Sequence, residues 1–360
     1  MRDPANQSRI APRGTFMATV VQDDPIEMLY ERGVTDGLPV VPPTRERVDR
    51  MLAGAPWRKP DELIGVLGPQ LGKATVEKVA INAVMAGCKP EYFPVVLAAA
   101  EGLCDTNLCA HGLSITLMSG APLAIINGPV RGKIGLNSGH NALGHGFRAN
   151  ATIGRAIRLI TMNIGGARPH GVTKATMGHP GQYSFLVAEN EEISPWEPLH
   201  VERGFKKEDS AITFFGGTGF FQVADFGSNS AERLVSTIGG TMGGGINNYR
   251  EYPLMSDTVL VLSPEHAKTI ARDGWSKRDV RNYLFETVVR RPEEPGAPPP
   301  RGRAAKWTTA DGGVRKFRSP DTIIVVVAGG TAGRLSVVIP GWVSEELAGS
   351  APVSKLIRLE

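Results

Sequence analysis

Apolar residues recur along the chain in two rhythms, one helical and one of strand type. In "TVEKVAINAVMAG" (75–87), Val76, Val79, Ala80 and Ala83 return at helical spacing. "KPEYFPVVLAAAEGLC" follows as a second helix with Pro90 near its start, and Gly87 and Cys88 form the elbow between them. A third helix is predicted over about 151–164, where Ile153, Ile157, Ile160 and Ile164 form a stripe and Asn150 is a suitable cap. "SNSAERLVSTIGG" reads as a capped helix, and "PEHAKTIARDGWSKRDVRNYLFETV" as another pair around an elbow at Gly274. A short helix after Asp24, with Pro25 in its first turn, opens the ordered chain.

Strand-type runs alternate with these helices. "ELIGVLG" (62–68), "LSITLMSG", "APLAIING", "YSFLVA", "AITFFGG", "GFFQVADFG", "DTVLVLSPEH", "DTIIVVVAGG" and "RLSVVIPGW" are all short, apolar and β-branched or aromatic. "LSITLMSG" and "APLAIING" read as neighbours across a Ser-Gly turn, and "AITFFGG" and "GFFQVADFG" as a pair. The mixture predicts an α/β or α+β class, with mixed sheets and helix pairs. Runs ending in Gly68-Pro69 and Ser263-Pro264 precede both helix pairs, which raises an internal pseudo-duplication. Helix pairs are common, so that resemblance between halves also arises without duplication.

The punctuation between elements suggests the organisation. Residues 1–23 lack apolar patterning and read as a disordered extension; 24–204 form a first α/β half and 205–290 a second. Residues 291–305, within the "RRPEEPGAPPPRGR" stretch, form a proline-rich linker, and strands in 306–360 dock on the second half. "DGLPVVPPT" (36–44) is too rich in proline for a helix or central strand and is suited to lie extended across another surface.

Composition narrows the classes. Among 360 residues, 43 are glycine, more than turns alone ordinarily need, and the formal net charge is +4. Lys and Arg are dispersed, so nucleic-acid binding is not expected, while a weak positive field suits small anions. Three cysteines without a CxxC spacing argue against a disulfide scaffold or a structural zinc site. No apolar run reaches membrane-spanning length, and the expectation is a cytoplasmic homo-oligomer without membrane partners.

The candidate chemistry is concentrated in "GLNSGHNALGHGFRANATIGRA" (135–156). Asn137, Ser138, His140, Asn141, His145, Arg148 and Asn150 precede a helix whose first N–H groups carry partial positive charge, a favourable place for phosphate or carboxylate. Arg148 and Arg155 suit a bidentate grip on a carboxylate. The alternative is a loop whose polar groups bond one another. His140, His145 and His179 lie in glycine-flanked loops and suit acid–base work at neutral pH. They match no familiar metal-ligand spacing, so no metal is assigned, and no cofactor is named. Glu189, at the end of "YSFLVA", is the carboxylate nearest a buried strand, with Asn190 beside it; Glu191 and Glu192 read as a solvated turn. Cys88, next to Lys89 and a helix start, is placed for a lowered thiol pKa and a nucleophilic role, or else for simple packing.

The stretches "DGLPVVPPT", "AINAVMAGCKPEYFPVVLAA", "NATIGRAIRLITMNIGGA", "GHPGQYSFLVAENEEISPWEPL" and "SPEHAKTIARDGWSKRDVRNYLFE" resemble a family of bacterial proteins. Its members occur near, or joined to, a protein with a Sec/Cys-Gly-Ser-Cys (UGSC) motif, itself similar to subunits of glycine-reductase type. The resemblance covers about residues 30–345, and the motif is absent from this chain. It implies a UGSC-motif protein as a partner and carries over no reaction or catalytic residue. The residues themselves predict an enzyme acting on a small anionic, carboxylated substrate through His/Glu acid–base chemistry of lyase, hydratase or hydrolase type, with a thiol as a further participant. The alternative is a non-catalytic partner that presents substrate to a thiol- or selenol-bearing subunit.

Overall fold

The computed structural model describes residues 24–169, 171–244, 257–294 and 302–360. The extension 1–23, most of the "MGGGINN" loop and the central part of the proline-rich linker lie outside the described residues.

In chain order the helices are α1 (Pro25–Glu31), α2 (Arg45–Leu52), α3 (Val76–Ala86), α4 (Phe93–Leu103), α5 (Ala110–Ile115), α6 (Val130–Lys133), α7 (Arg148–Asn163), α8 (Leu199–Glu202), α9 (Ala231–Gly244), α10 (Pro264–Arg272) and α11 (Lys277–Thr287). The strands are β1 (Leu63–Leu67), β2 (Gly72–Thr75), β3 (Ala121–Asn127), β4 (Leu186–Ala188), β5 (Ala211–Gly217), β6 (Phe221–Ala224), β7 (Thr258–Leu262), β8 (Val289–Arg290), β9 (Val314–Arg315), β10 (Ile323–Val327), β11 (Leu335–Pro340) and β12 (Val353–Leu356). The class is α/β with mixed sheets.

Two four-stranded sheets stack face to face, one ordered β12-β5-β3-β4 and the other β10-β7-β11-β6. The side-chain alternation of a strand explains the layering. Leu123 and Ile125 of β3 face inward and meet Val259 and Val261 of β7, Ile324 and Val326 of β10, and Ile339 of β11. Ala124 and Ile126 face outward into a core shared with α3, α4 and α7. Leu260 and Leu262 likewise turn away from the interface to meet α9, α10 and α11. The result is four layers: helices, sheet, sheet, helices.

The sheets repeat one pattern. A parallel pair (β3 with β4, β7 with β10) is flanked on its first strand by an antiparallel partner (β5, β11). The fourth strand is exchanged between sheets. β6 follows β5 directly yet pairs with β11, and β12 comes after β11 yet pairs with β5. Gly217 and Gly341 bridge antiparallel where the two strands pass from one sheet to the other. This arrangement sets β3 against β7. The sequence comparison instead set the 62–68 run against 258–263, but β1 makes a separate antiparallel hairpin with β2.

Three other expectations change. "LSITLMSG" is not a strand: its first residues finish α5, whose Gly112 lies against the Trp342 ring. "AITFFGG" and "GFFQVADFG" form β5 and β6 but do not pair with each other. Asn150 is not a cap: α7 starts earlier, with Phe147 at the N-cap, and Asn150 lies inside the first turn. Asp24, Thr75 and Ser263 do cap α1, α3 and α10, and Gly87 ends α3 in the left-handed conformation at φ 88°.

Among the described residues no single helix is long and apolar enough to cross a membrane. A bent pair, Pro90–Leu103 with Thr106–Ile115, meets the length and composition test at a 71° break, and most of α4 is buried in the core.

Candidate functional site

α7 positions the most distinctive chemistry. Ile153, Ile157 and Ile160 are buried against α3 and α4, each worth about 1.5–3 kcal/mol of apolar burial. The remaining surface of the helix carries Arg148, Thr152, Arg155 and Arg158. Gly154 lets the 179–185 segment lie directly on the helix: a Cβ there would stand 2.2 Å from the Ser184 hydroxyl. Ser184 itself donates to the Ala151 carbonyl at 3.1 Å.

Arg155 and Arg158 are three residues apart and have opposite fates. Arg155 donates to both carboxylate oxygens of Asp36 at 2.7 and 2.8 Å, and to the Leu38 and Pro39 carbonyls. That clasp holds the "DGLP" arm on the helix. The Arg158 side chain has no hydrogen bond or ion pair among the described residues. Burial pushes its pKa down, while Asp36 and Tyr183 act on it through space in the opposite direction. A guanidinium starts so high that it stays charged.

Arg158 lines a cavity of about 700 Å³, whose walls include Tyr30, Asp36, Met162, Arg168, Gln182 and Tyr183. Two narrow spaces of about 10 and 20 Å³ also border Arg158, Thr161 and Gln182. Thr173, beside the first of these, has a buried hydroxyl with no partner. His179 heads the turn that carries Gln182: its carbonyl accepts from the Gln182 N–H at 2.9 Å. Its Nδ1 accepts from the Gly181 N–H at 3.2 Å, which places the proton of the neutral ring on Nε2. That Nε2 is buried without a partner. Burial holds the His179 pKa below the ordinary imidazole value, opposed by the Ser119 backbone, and the ring packs edge-on against Phe185 at 5.4 Å.

The 135–150 loop closes on itself. The Asn150 amide accepts from the Asn137 N–H at 2.9 Å and donates to the Asn137 carbonyl at 2.8 Å. Asn137 donates to the His140 carbonyl and accepts from Gly139 N–H, and Asn141 donates to the His145 carbonyl. The Ser138 carbonyl accepts from Gly329 N–H, and the His140 ring lies so close to Gly330 that a Cβ there would clash at 1.9 Å. Arg148 donates twice to the Gly87 carbonyl at 3.0 and 3.1 Å. The loop thereby ties β3's end to β10's end and α7 to the α3 elbow.

Cys88 lies in that elbow beside Arg148 and Thr152, but its thiol is buried, and burial pushes its pKa up to about 12. Thr152 and Arg148 pull the other way and do not prevail. The lowered pKa expected from the helix start is therefore reversed.

Glu189 belongs to a third neighbourhood, at the carboxyl ends of β3 and β4. Its Oε2 accepts from Asn127 at 2.6 Å and from the Leu199 N–H at 2.8 Å; Lys277 of α11 lies 3.5 Å from Oε1. Glu191 accepts from Asn127 at 3.0 Å and from Gly128 N–H at 2.7 Å, and pairs with the buried Arg131 at 3.0 Å. Glu191 is thus packed inward, unlike the solvated turn expected for it. Arg131 also engages Glu192 with two hydrogen bonds, at 3.0 and 3.1 Å. Asn190 is buried, and its N–H donates to the Val327 carbonyl at 2.7 Å. The buried His200 joins the cluster with its Nδ1 4.0 Å from Glu191.

The predicted residues are thus spread over three places, and the cavity rests mainly on residues the sequence did not single out: Arg158, Gln182, Tyr183 and Asp36. A usable signal was present in "RAIR", two arginines three apart on a helix with an isoleucine stripe. Asn127, Arg131, Lys277 and His200 had no such signal, because the fold alone gathers them. Among the described residues no group of three or more His, Cys, Asp and Glu side chains is arranged to hold a metal ion. The chain matches no known protein-family model and no curated protein.

Proposed function

We propose that the protein binds a small carboxylated organic anion in the Arg158 cavity. One observation carries this reading: a largely buried guanidinium without a partner borders a space of about 700 Å³, within the range of ligand sites. Removing a cation from water without an acceptor is unfavourable, and a carboxylate supplies two acceptors in the geometry a guanidinium favours. Tyr30, Met162 and Tyr183 suit the organic body of such a ligand.

On this reading the protein is an enzyme of lyase, hydratase or hydrolase type, with His179 as its proton carrier. Among the sequence-predicted catalytic residues, His179 heads the turn that builds the cavity wall. His140 and His145 sit in the self-bonded loop, Glu189 is held by Asn127 and Lys277, and Cys88 is a buried thiol.

The test is calorimetric titration with a panel of small mono- and dicarboxylates beside their neutral amides. Carboxylates should bind and amides should not. Arg158→Gln should weaken binding about 10- to 100-fold, the worth of hydrogen bonds to a charged group. Carboxylate affinity unchanged in Arg158→Gln would overturn the reading. His179→Gln should keep affinity and lose turnover once a substrate is identified.

A further inference from the structure

A second cavity of about 700 Å³ opens between the α8 turn, α11 and the start of β10, lined among others by Glu202, Arg203, Arg281, Asp321 and Ser354. Its charges pair off with one exception. Arg281 holds Glu202 at 2.7 Å and donates through Nε to the Ile323 carbonyl at 2.9 Å. Lys277 lies 3.5 Å from both Glu202 and Glu189, and Arg278 lies 3.7 Å from Asp321. The Arg203 side chain has no hydrogen bond or ion pair among the described residues, and its Nε is buried without an acceptor. Burial and then the like charge of Arg281 disfavour its cation, and Glu202 only partly opposes them.

We infer that this cavity is a site for a small hydrophilic anion of the phosphate class, separate from the Arg158 cavity. The carboxylates nearby are already engaged, so Arg203 supplies uncompensated positive charge. Arg281 keeps Nη1 free of any hydrogen bond among the described residues, so two guanidinium groups border one space. A tetrahedral oxyanion directs its oxygens in three dimensions and carries more charge to share between the two cations, whereas a carboxylate offers two oxygens in one plane. It also separates the two like charges by a shared counter-charge. The Ser354 hydroxyl, 2.8 Å from the Thr213 hydroxyl, borders the same space.

The test uses the full chain and inorganic phosphate at fixed ionic strength, with acetate as the comparison anion. Amide chemical shifts should move saturably around Gly204, Phe205 and Ser354 on adding phosphate, and less on adding acetate. Arg203→Gln should weaken phosphate at least tenfold, and Arg158→Gln should leave it unchanged. Equal affinity in Arg203→Gln, or shifts confined to the Arg158 cavity, would overturn the inference. Should Arg203→Gln fail to fold, Arg203→Lys keeps the charge without the planar fork. Undiminished phosphate affinity in that variant would count against the two-guanidinium geometry, and a tenfold loss would support it. Because the two cavities share no lining residue, loss of carboxylate binding in Arg158→Gln tests the other site alone.

Discussion

The 135–150 loop and the Arg158 cavity both present dense polar chemistry, and they dispose of it in opposite ways. In the loop, Asn137, Asn141, Arg148 and Asn150 each find a backbone partner within the protein. In the cavity, the Arg158 guanidinium finds none among the described residues, and one turn back Arg155 takes the carboxylate of Asp36. Polar richness therefore marks architecture in one place, and polar incompleteness is the basis of the proposed ligand site in the other. The count of hydrogen-bonding residues does not separate the two cases; the count of unmet bonds does.

The sharpest way to break this contrast is at Asp36. Its side chain is 2% exposed against 17% for Arg155, so removing its charge leaves a largely buried cation without its counter-charge. Asp36→Asn should cost about 3–5 kcal/mol in chemical denaturation. A loss below about 1 kcal/mol would mean that the arm is not held by this pair. Next comes Asn150→Ala, which removes both ties to the Asn137 backbone. It should destabilise by about 1–3 kcal/mol while carboxylate affinity stays within twofold of wild type. A large affinity loss at wild-type stability would return the loop to the role of ligand cradle. His140→Ala should matter least, within about 0.5 kcal/mol, because His140 is exposed and its ring makes no hydrogen bond among the described residues.

Acid adds a smaller refinement. A base whose folded pKa is depressed binds fewer protons in the native state than in the unfolded one. Stability tied to His179 is therefore intact above the ordinary imidazole pKa near 6.5, and falls as pH drops from there to its lower folded value. His179→Gln should flatten that limb of the denaturation profile. An unchanged limb would assign it to another group, with His266, also held low by burial, the first to examine.

Much of the architecture was legible in the chain. The isoleucine stripe foretold α7, the pattern of "PEHAKTIARDGWSKRDVRNYLFETV" foretold α10 and α11, and the β-branched runs foretold β7, β10 and β11. Pairing was not legible, because β5 and β6 are adjacent in sequence and apolar alike, yet bury their faces in different sheets. Local pattern carries no information on which distant strand completes a ladder. The site was legible only in part, for the same reason. His179 was visible as a histidine among glycines, but the importance of Arg158 arises from what fails to reach it. Glu189 was read correctly as lying at a buried strand end, and its partners Asn127 and Lys277 come from other elements altogether. Cys88 shows how two local cues mislead together: a basic neighbour and a helix start were both present, and desolvation outweighed them.

The exchanged strands have a consequence for biosynthesis. The sheet built from β3, β4 and β5 receives its last member, β12, from residues 353–356. A nascent chain on the ribosome thus presents β5, complete at Gly217, with its outer edge unpaired until β12 begins at Val353. Such an edge invites association with other chains. Ribosome-bound intermediates of this protein would thus call on chaperones that shield bare strand edges.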